Sequence, residues 1–259
     1  MKLQIHSRLD YDFNQPTDIL VQIEAAIIPE QTIENAWIDL PDVEHFARVP
    51  GEDTIGDRIW LRHQGKLIVD YSATVTIDRI CADVSKLDAV PPHMLPGETV
   101  HYLLPSRYCP SDEFLNLVED EFGGLSGGAR IAAINDWING HIAYMPGSSN
   151  QATGALETYV SRQGVCRDFA HVMIALARAS TIPARFASVY APNVTPPDFH
   201  AVAEVFLDGA WYLMDPTGMA KGAEMAKIGV GRDAADVSFL TSYGPAWMNS
   251  QLVEVSVVE

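Results

Sequence analysis

The chain changes hydrophobic period part-way along, and that change constrains its fold more than any other feature. From Leu3 to Phe13 apolar side chains fall at 3, 5, 9, 11 and 13, and Ile19, Val21, Ile23 and Ala25 continue the alternation. A period of two places them on one face of a β-strand. Ile59–His63 and Leu67–Ile77 alternate in the same way and flank Gln64-Gly65, which predicts a hairpin with glycine where the turn needs positive φ. Short strands with Pro and Gly punctuation, and no helical window, predict a β-sandwich or open barrel for this part.

Pro91-Pro92-His93-Met94-Leu95-Pro96-Gly97 interrupts any regular element and reads as a linker. The expected division is a β-rich domain over 1–95 and a second domain over 96–259. Beyond the linker the period lengthens. Ile131, Ile134, Trp137, Ile138 and Ile142 recur at three and four, the mark of an amphipathic helix. A shorter helix is expected through Leu156, Tyr159 and Val160, closed by Gly164. Phe169, Val172, Met173 and Leu176 form the stripe of a third, which ends near Pro183. Strands are expected at 185–190, 201–207, 210–214 and 252–258.

A net charge of −17 repels phosphate backbones, so neither nucleic acid nor an anionic membrane surface is an expected partner. The most apolar stretch, Val172–Ala177, meets Arg178 long before the ~20 residues a bilayer requires. The first eight residues mix polar side chains throughout, without the apolar block of a signal peptide. Cysteines stand at 81, 109 and 166 with no Cys-x-x-Cys pair. That pattern fits neither a disulfide framework nor a thiolate zinc site and points to a reducing compartment, read as the cytoplasm. No His-Glu-x-x-His, Walker or Gly-x-Gly-x-x-Gly motif occurs, so no metal and no cofactor is expected.

Cys166 lies two residues after Gly164, where the third helix begins. Free N–H groups and the positive end of the helix dipole there favour thiolate. A thiolate nucleophile needs an imidazole, and the imidazole needs an orienting group. Asp208-Gly209 reads as a two-residue hairpin turn. Leu207 then pairs with Ala210, and Asp215 falls opposite Val202. On that register His200 and Asp215 share a sheet face as diagonal neighbours, roughly 7–8 Å apart and within reach of an imidazole. A three-residue turn would place Asp215 on the other face.

Gly164-Val165-Cys166-Arg167-Asp168-Phe169-Ala170-His171, Ile182-Pro183-Ala184-Arg185, Asp198-Phe199-His200-Ala201 and Asp215-Pro216-Thr217 occur in this order. Together they resemble the bacterial transglutaminase-like proteins, many of them described as cysteine proteases. The resemblance runs from about Leu103 to Gly218. It implies an α+β fold, a papain-like transglutaminase core preceded by the β-sandwich, which resembles the amino-terminal region of such proteins. It also implies Cys166 as nucleophile, His200 as acid/base and Asp215 as orienter. Arg167 stands where the animal crosslinking enzymes carry tryptophan, and no acidic loop has the spacing of a calcium site.

The expected function is cysteine-dependent acyl chemistry on a peptide or side-chain amide of a peptide or protein substrate. Hydrolysis is favoured over amine transfer; the alternative is a non-catalytic peptide-binding module on the same fold. The oxyanion formed in acyl transfer has the Cys166 N–H as one expected donor, with the side-chain amide of Gln151 or Asn150 as a candidate second. Arg167 and Asp168 are expected to pair with nearby structure, and His171, five residues into the helix, to be structural.

Overall fold

The computed structural model describes residues 1–258. The chain begins with β1 (Lys2–Val21), β2 (Gln31–Asp39), β3 (His45–Pro50) and β4 (Asp57–Ile77). After a stretch of short 3₁₀ turns come α1 (Leu115–Phe122), α2 (Gly127–His141), β5 (Ala143–Tyr144), α3 (Ala155–Ser161), β6 (Gln163–Gly164) and α4 (Cys166–Ala179). Strands β7 (Ala184–Tyr190), β8 (His200–Leu207), β9 (Ala210–Met214) and β10 (Ala226–Gly231) follow, then β11 (Leu240–Ser242) and β12 (Trp247–Val258).

Residues 57–77 run as one strand through Gln64-Gly65, so the expected hairpin is not formed there. The reason is parity. A two-residue turn would pair 63 with 66 and put odd positions before it on the face of even positions after it. The buried residues Ile59, Leu61, Leu67 and Val69 are odd on both sides, and only an unbroken strand gathers them on one face. Gly65, at φ 96°, instead lies opposite an irregularity between Phe13 and Thr17 of β1.

β1 and β4 pair antiparallel along most of their length, with β2 and β3 on the far side of β4. β11 and β12 pair with the outer side of β1, so strands grouped by sequence with the second part complete the amino-terminal sheet. Residues 1–95 thus contribute strands to one sheet rather than to two facing ones. Its inner face is covered by Tyr190, Phe199, Ala226 and Ile228 from later in the chain. The Tyr190 hydroxyl lies 2.9 Å from Ser7 Oγ and donates to Ile23 O at 2.7 Å, satisfying a polar group deep in this contact.

The segment between β4 and α1 carries no strand, and most of Pro91–Gly97 is exposed. Beyond it, β10-β7-β8-β9 form an antiparallel sheet against which α4 packs. α4 is buried on every side from Asp168 to Ala179, as a helix at the centre of a core must be. Phe169, Val172, Met173 and Leu176 belong to a cluster with Ala203, Val205 and Leu207 of β8 and Ile131, Ile134 and Ile138 of α2. Among the described residues no helix is long and apolar enough to cross a membrane.

A buried ion network joins the two sheets. Glu204 on β8 accepts from Arg185 of β7 at 2.8 Å and from Lys227 of β10 at 2.6 Å. Arg185 also reaches Asp53 at 2.7 Å, and Lys227 reaches Glu30 at 2.7 Å, both acids lying in the amino-terminal part.

Candidate active site

Cys166 is the first residue of α4, half-buried, with its backbone N–H among those that have no partner within the helix. Two features hold the chain there. The Asp168 carboxylate, fully buried, accepts the Val165 N–H at 2.9 Å. Gly164 packs so closely on that first turn that a Cβ would stand 2.7 Å from the Asp168 Cβ. Arg167 and Asp168 pair with nearby structure, as expected. Arg167 donates to Ser149 Oγ and to Asn150 O, each at 2.6 Å, and Ser149 Oγ donates to Asp168 at 2.9 Å.

His200 opens β8, and the hairpin to β9 has the two-residue turn. Asp208 and Gly209 have φ of 47° and 80°, and Leu207 pairs with Ala210. The ladder ends at Ala203–Met214, one pair short of Asp215. There Asp215 turns its carboxylate to His200, whose Nε2 lies 2.8 Å from Asp215 Oδ2. Three further donors fix that carboxylate: Thr217 N at 2.9 Å, Thr217 Oγ1 at 2.7 Å and Ala220 N at 2.9 Å. The side chains of His200 and Asp215 are 0% and 1% exposed, so neither has water as an alternative partner.

Among the described residues His200 Nδ1 is buried without a hydrogen-bond partner, and the Cys166 side chain is near enough to favour the charged ring. Burial by itself pushes the imidazole pKa down. The hydrogen bond to Asp215 and the contact with Cys166 outweigh it and hold the value up to about 9. Asp215 is lowered: burial opposes its charge, but His200, Thr217 and the Ala220 amide prevail. The arrangement can therefore hold an imidazolium between a carboxylate and a sulfur.

Gln151 is exposed in the loop between β5 and α3. Its main-chain carbonyl accepts the Tyr108 hydroxyl at 2.9 Å, and its side-chain amide makes no hydrogen bond among the described residues. The phenol near Cys166 is that of Tyr144, which the sequence pattern does not single out. The two-residue parallel ladder of β5 and β6 sets Tyr144 against Gly164, two residues before Cys166, and the Cys166 sulfur is near enough to disfavour the phenolate. Burial and the neighbouring sulfur push this phenol up to about 12. An element of two residues has no periodicity by which to find it.

His171 is a buried core residue: its Nε2 accepts the Ala234 N–H at 3.2 Å, and its ring stacks on Tyr108. Burial drives its pKa well below the ordinary imidazole value, so it is neutral. Elsewhere, Glu52, Asp53 and His101 each bring one possible metal-ligand atom to within 4.8 Å of the others. Asp53 Oδ2 is already bonded by Arg185 and Tyr102, both at 2.7 Å, so this group belongs to the ion network.

The family model of the transglutaminase-like superfamily matches residues 119–216, a span that includes Cys166, His200 and Asp215. The crystal structure of a "putative cysteine protease" from Cytophaga hutchinsonii is 34% identical and superposes with a TM-score of 0.94. The match covers 100% of this chain and 91% of that one. This chain belongs to the transglutaminase-like superfamily. Its likeness to the Cytophaga protein takes in the amino-terminal sheet as well as the transglutaminase-like core. An uncharacterized protein of Mycobacterium leprae is 29% identical over 117 residues, 42% of each chain. One from Mycobacterium tuberculosis H37Rv is 34% identical over 131 residues, 44% of this chain and 41% of that protein. The match thus spans less than half the length of these mycobacterial relatives.

Proposed function

We propose that this transglutaminase-like protein is a cysteine-dependent enzyme acting on a peptide or side-chain amide, with Cys166, His200 and Asp215 as its catalytic residues. The observation that carries the reading is the 2.8 Å contact between His200 Nε2 and Asp215 Oδ2, which leaves Nδ1 for Cys166. In this reading the Cys166 thiolate attacks the amide carbonyl carbon, forming the C–S bond as the carbonyl π pair moves onto oxygen. The Cys166 N–H faces that developing charge at the helix start, with Gln151 proposed as a second donor. His200 passes its proton to the leaving nitrogen, the C–N bond breaks, and an amine departs from a thioester.

Water is the proposed second nucleophile, favoured by its abundance over an amine. The now neutral His200 takes a proton from it, hydroxide adds to the thioester carbonyl, and the C–S bond breaks to return thiolate and release a carboxylic acid. Asp215 holds the ring and stabilises the imidazolium without itself taking the proton. The description of the Cytophaga protein supports a cysteine protease of this kind. The three free cysteines support placement in a reducing compartment, proposed as the cytoplasm.

The test is turnover of a peptide-amide library by the wild type and by Cys166→Ala, followed by mass spectrometry. Cleaved or deamidated products with the wild type alone are expected, together with a thioester adduct on Cys166 after acid quench. A Cys166→Ala protein as active as the wild type would overturn the proposal, and peptide binding without products would establish the binding-module alternative.

A further inference from the structure

A cavity of ≈ 320 Å³ opens between the loop that precedes β8 and the carboxy-terminal strand β12. Val194, Pro197 and Asp198 line it from the loop, and Val253, Glu254 and Val255 from the strand. Successive side chains of a strand point to opposite faces, so three consecutive residues line one cavity only from the strand edge. That edge is open: β12 pairs with β1 on one side and, among the described residues, with no strand on the other. The Gln251 side chain of β12 donates to Asp198, tying the edge to the loop.

We propose that this cavity is a subsite for an extended polypeptide segment carrying a lysine or arginine side chain, held along the open edge of β12. The proposal rests on the reading that Cys166 acts on peptide amides, and it names the class of peptide. An open strand edge offers free N–H and C=O groups to an added strand, and the flanking pockets then select its side chains. The half-buried Val255 suits the methylene stem of a long basic side chain, while the Asp198 and Glu254 carboxylates suit its charged head. Among the described residues no lysine or arginine lines the cavity to neutralise them. The basic group that reaches Glu254 is His6, 3.4 Å from Oε2 and also held by Asp70 at 2.9 Å.

The position suits a substrate site. Asp198 is two residues before His200, and its carboxylate is close enough to act electrostatically on both His200 and Tyr144. Gln251 of β12 is bonded to Asp198, so a peptide at this edge would lie beside the segment that leads into His200. Segments rich in acidic residues would meet two carboxylates and be rejected, since juxtaposed like charges are unfavourable.

The experiment measures binding on the full chain carrying Cys166→Ala, so that turnover does not enter. The probes are fluorescein-labelled Ala/Ser undecapeptides with one central glutamine, in which a single lysine, norleucine or glutamate is moved along the sequence. Anisotropy titrations at 0.15 M salt are expected to show, at the best position, lysine binding at least tenfold tighter than glutamate with norleucine between. In the further variant Asp198→Asn/Glu254→Gln the lysine–glutamate gap should fall below threefold. Equal binding of the three series, or a gap that survives the double substitution, overturns the proposal. The second outcome would assign the preference to the overall charge of −17 instead. Failure of the catalytic reading shows separately, as a wild type that binds the lysine peptides but forms no product.

Discussion

His200 Nε2 and Asp215 Oδ2 stand 2.8 Å apart, and a turn several residues away decides that they meet. Because Asp208-Gly209 closes β8 and β9 with two residues, each pair on the ladder sums to the same value, and Asp215 emerges on the His200 face. One more residue in that turn would send the carboxylate to the opposite face. The Asp215 bonds to Thr217 and Ala220 then finish the alignment locally.

Asp215→Asn is therefore expected to fold normally and to lose most turnover. Either orientation of the amide leaves one face poorly matched. An NH₂ toward His200 would also meet the Ala220 N–H, while an NH₂ toward Thr217 would meet that residue's backbone N–H. Nor can an amide stabilise the imidazolium, and kcat should fall roughly 10²–10⁴-fold. Steady-state kinetics beside a thermal melt would check this; wild-type kcat in a folded Asp215→Asn protein would refute it.

Protonation of His200 makes stability depend on pH in a defined window. Its folded pKa, about 9, lies above the ordinary histidine value of 6.5, so the charged ring stabilises the fold below about 6.5. That contribution is lost as pH rises through about 9. Urea denaturation from pH 6 to 10 should show an alkaline decline that is smaller in His200→Gln. In Cys166→Ala the decline should begin at lower pH, because the sulfur is one of the groups holding the proton on. Identical curves for the three proteins would contradict this account.

Particular residues show how much of this architecture is legible in the chain. The Asp208-Gly209 turn, α2 and the start of α4 are local features whose signals lie within a few positions, and the structure has them where the patterns place them. Gln64-Gly65 has the composition of a turn, but the parity of the buried residues around it rules one out, and composition alone does not weigh parity. Pairing of β12 with β1 joins residues about 250 positions apart, so no local pattern announces it. β10 is obscured by its glycines and by Lys227, which points into a buried ion network instead of outward. Tyr144 is set near Cys166 by a ladder of two residues, too short for any period.

The ion network yields a stability prediction independent of catalysis. Glu204 is almost fully buried, and although burial opposes its charge, Lys227 and Arg185 hold its carboxyl down to about 2. A depressed acid stabilises the fold above its ordinary value of 4.5, and that contribution is lost as pH falls toward about 2. Glu204→Gln leaves the two cations with only Asp53 and Glu30, and breaking a buried pair from one side costs about 3–5 kcal/mol. Denaturant unfolding at pH 7 should show a loss in this range, shrinking as pH falls from about 4.5 toward about 2. A change under about 0.5 kcal/mol, the usual limit for a surface substitution, would mean that the network does not act as a unit.

Alkylation separates the three cysteines by their surroundings. Cys109 is fully buried and its thiol is pushed up to about 12, so it presents neither access nor thiolate. Cys81 is exposed, and its thiol lies 3.8 Å from the Arg79 carbonyl oxygen. Cys166 is half-buried at the N-terminus of α4 and near the His200 imidazole, two features common to reactive cysteines. Brief exposure to iodoacetamide at pH 6.5 should therefore label Cys166 at least tenfold faster than Cys81 and leave Cys109 unmodified, as read by peptide mass spectrometry. Replacing His200 with alanine removes the cation while widening access to the sulfur. Steric control would then speed labelling of Cys166, whereas electrostatic control would slow it toward the Cys81 rate. The slower rate is expected, and faster labelling in His200→Ala would count against thiolate activation by His200.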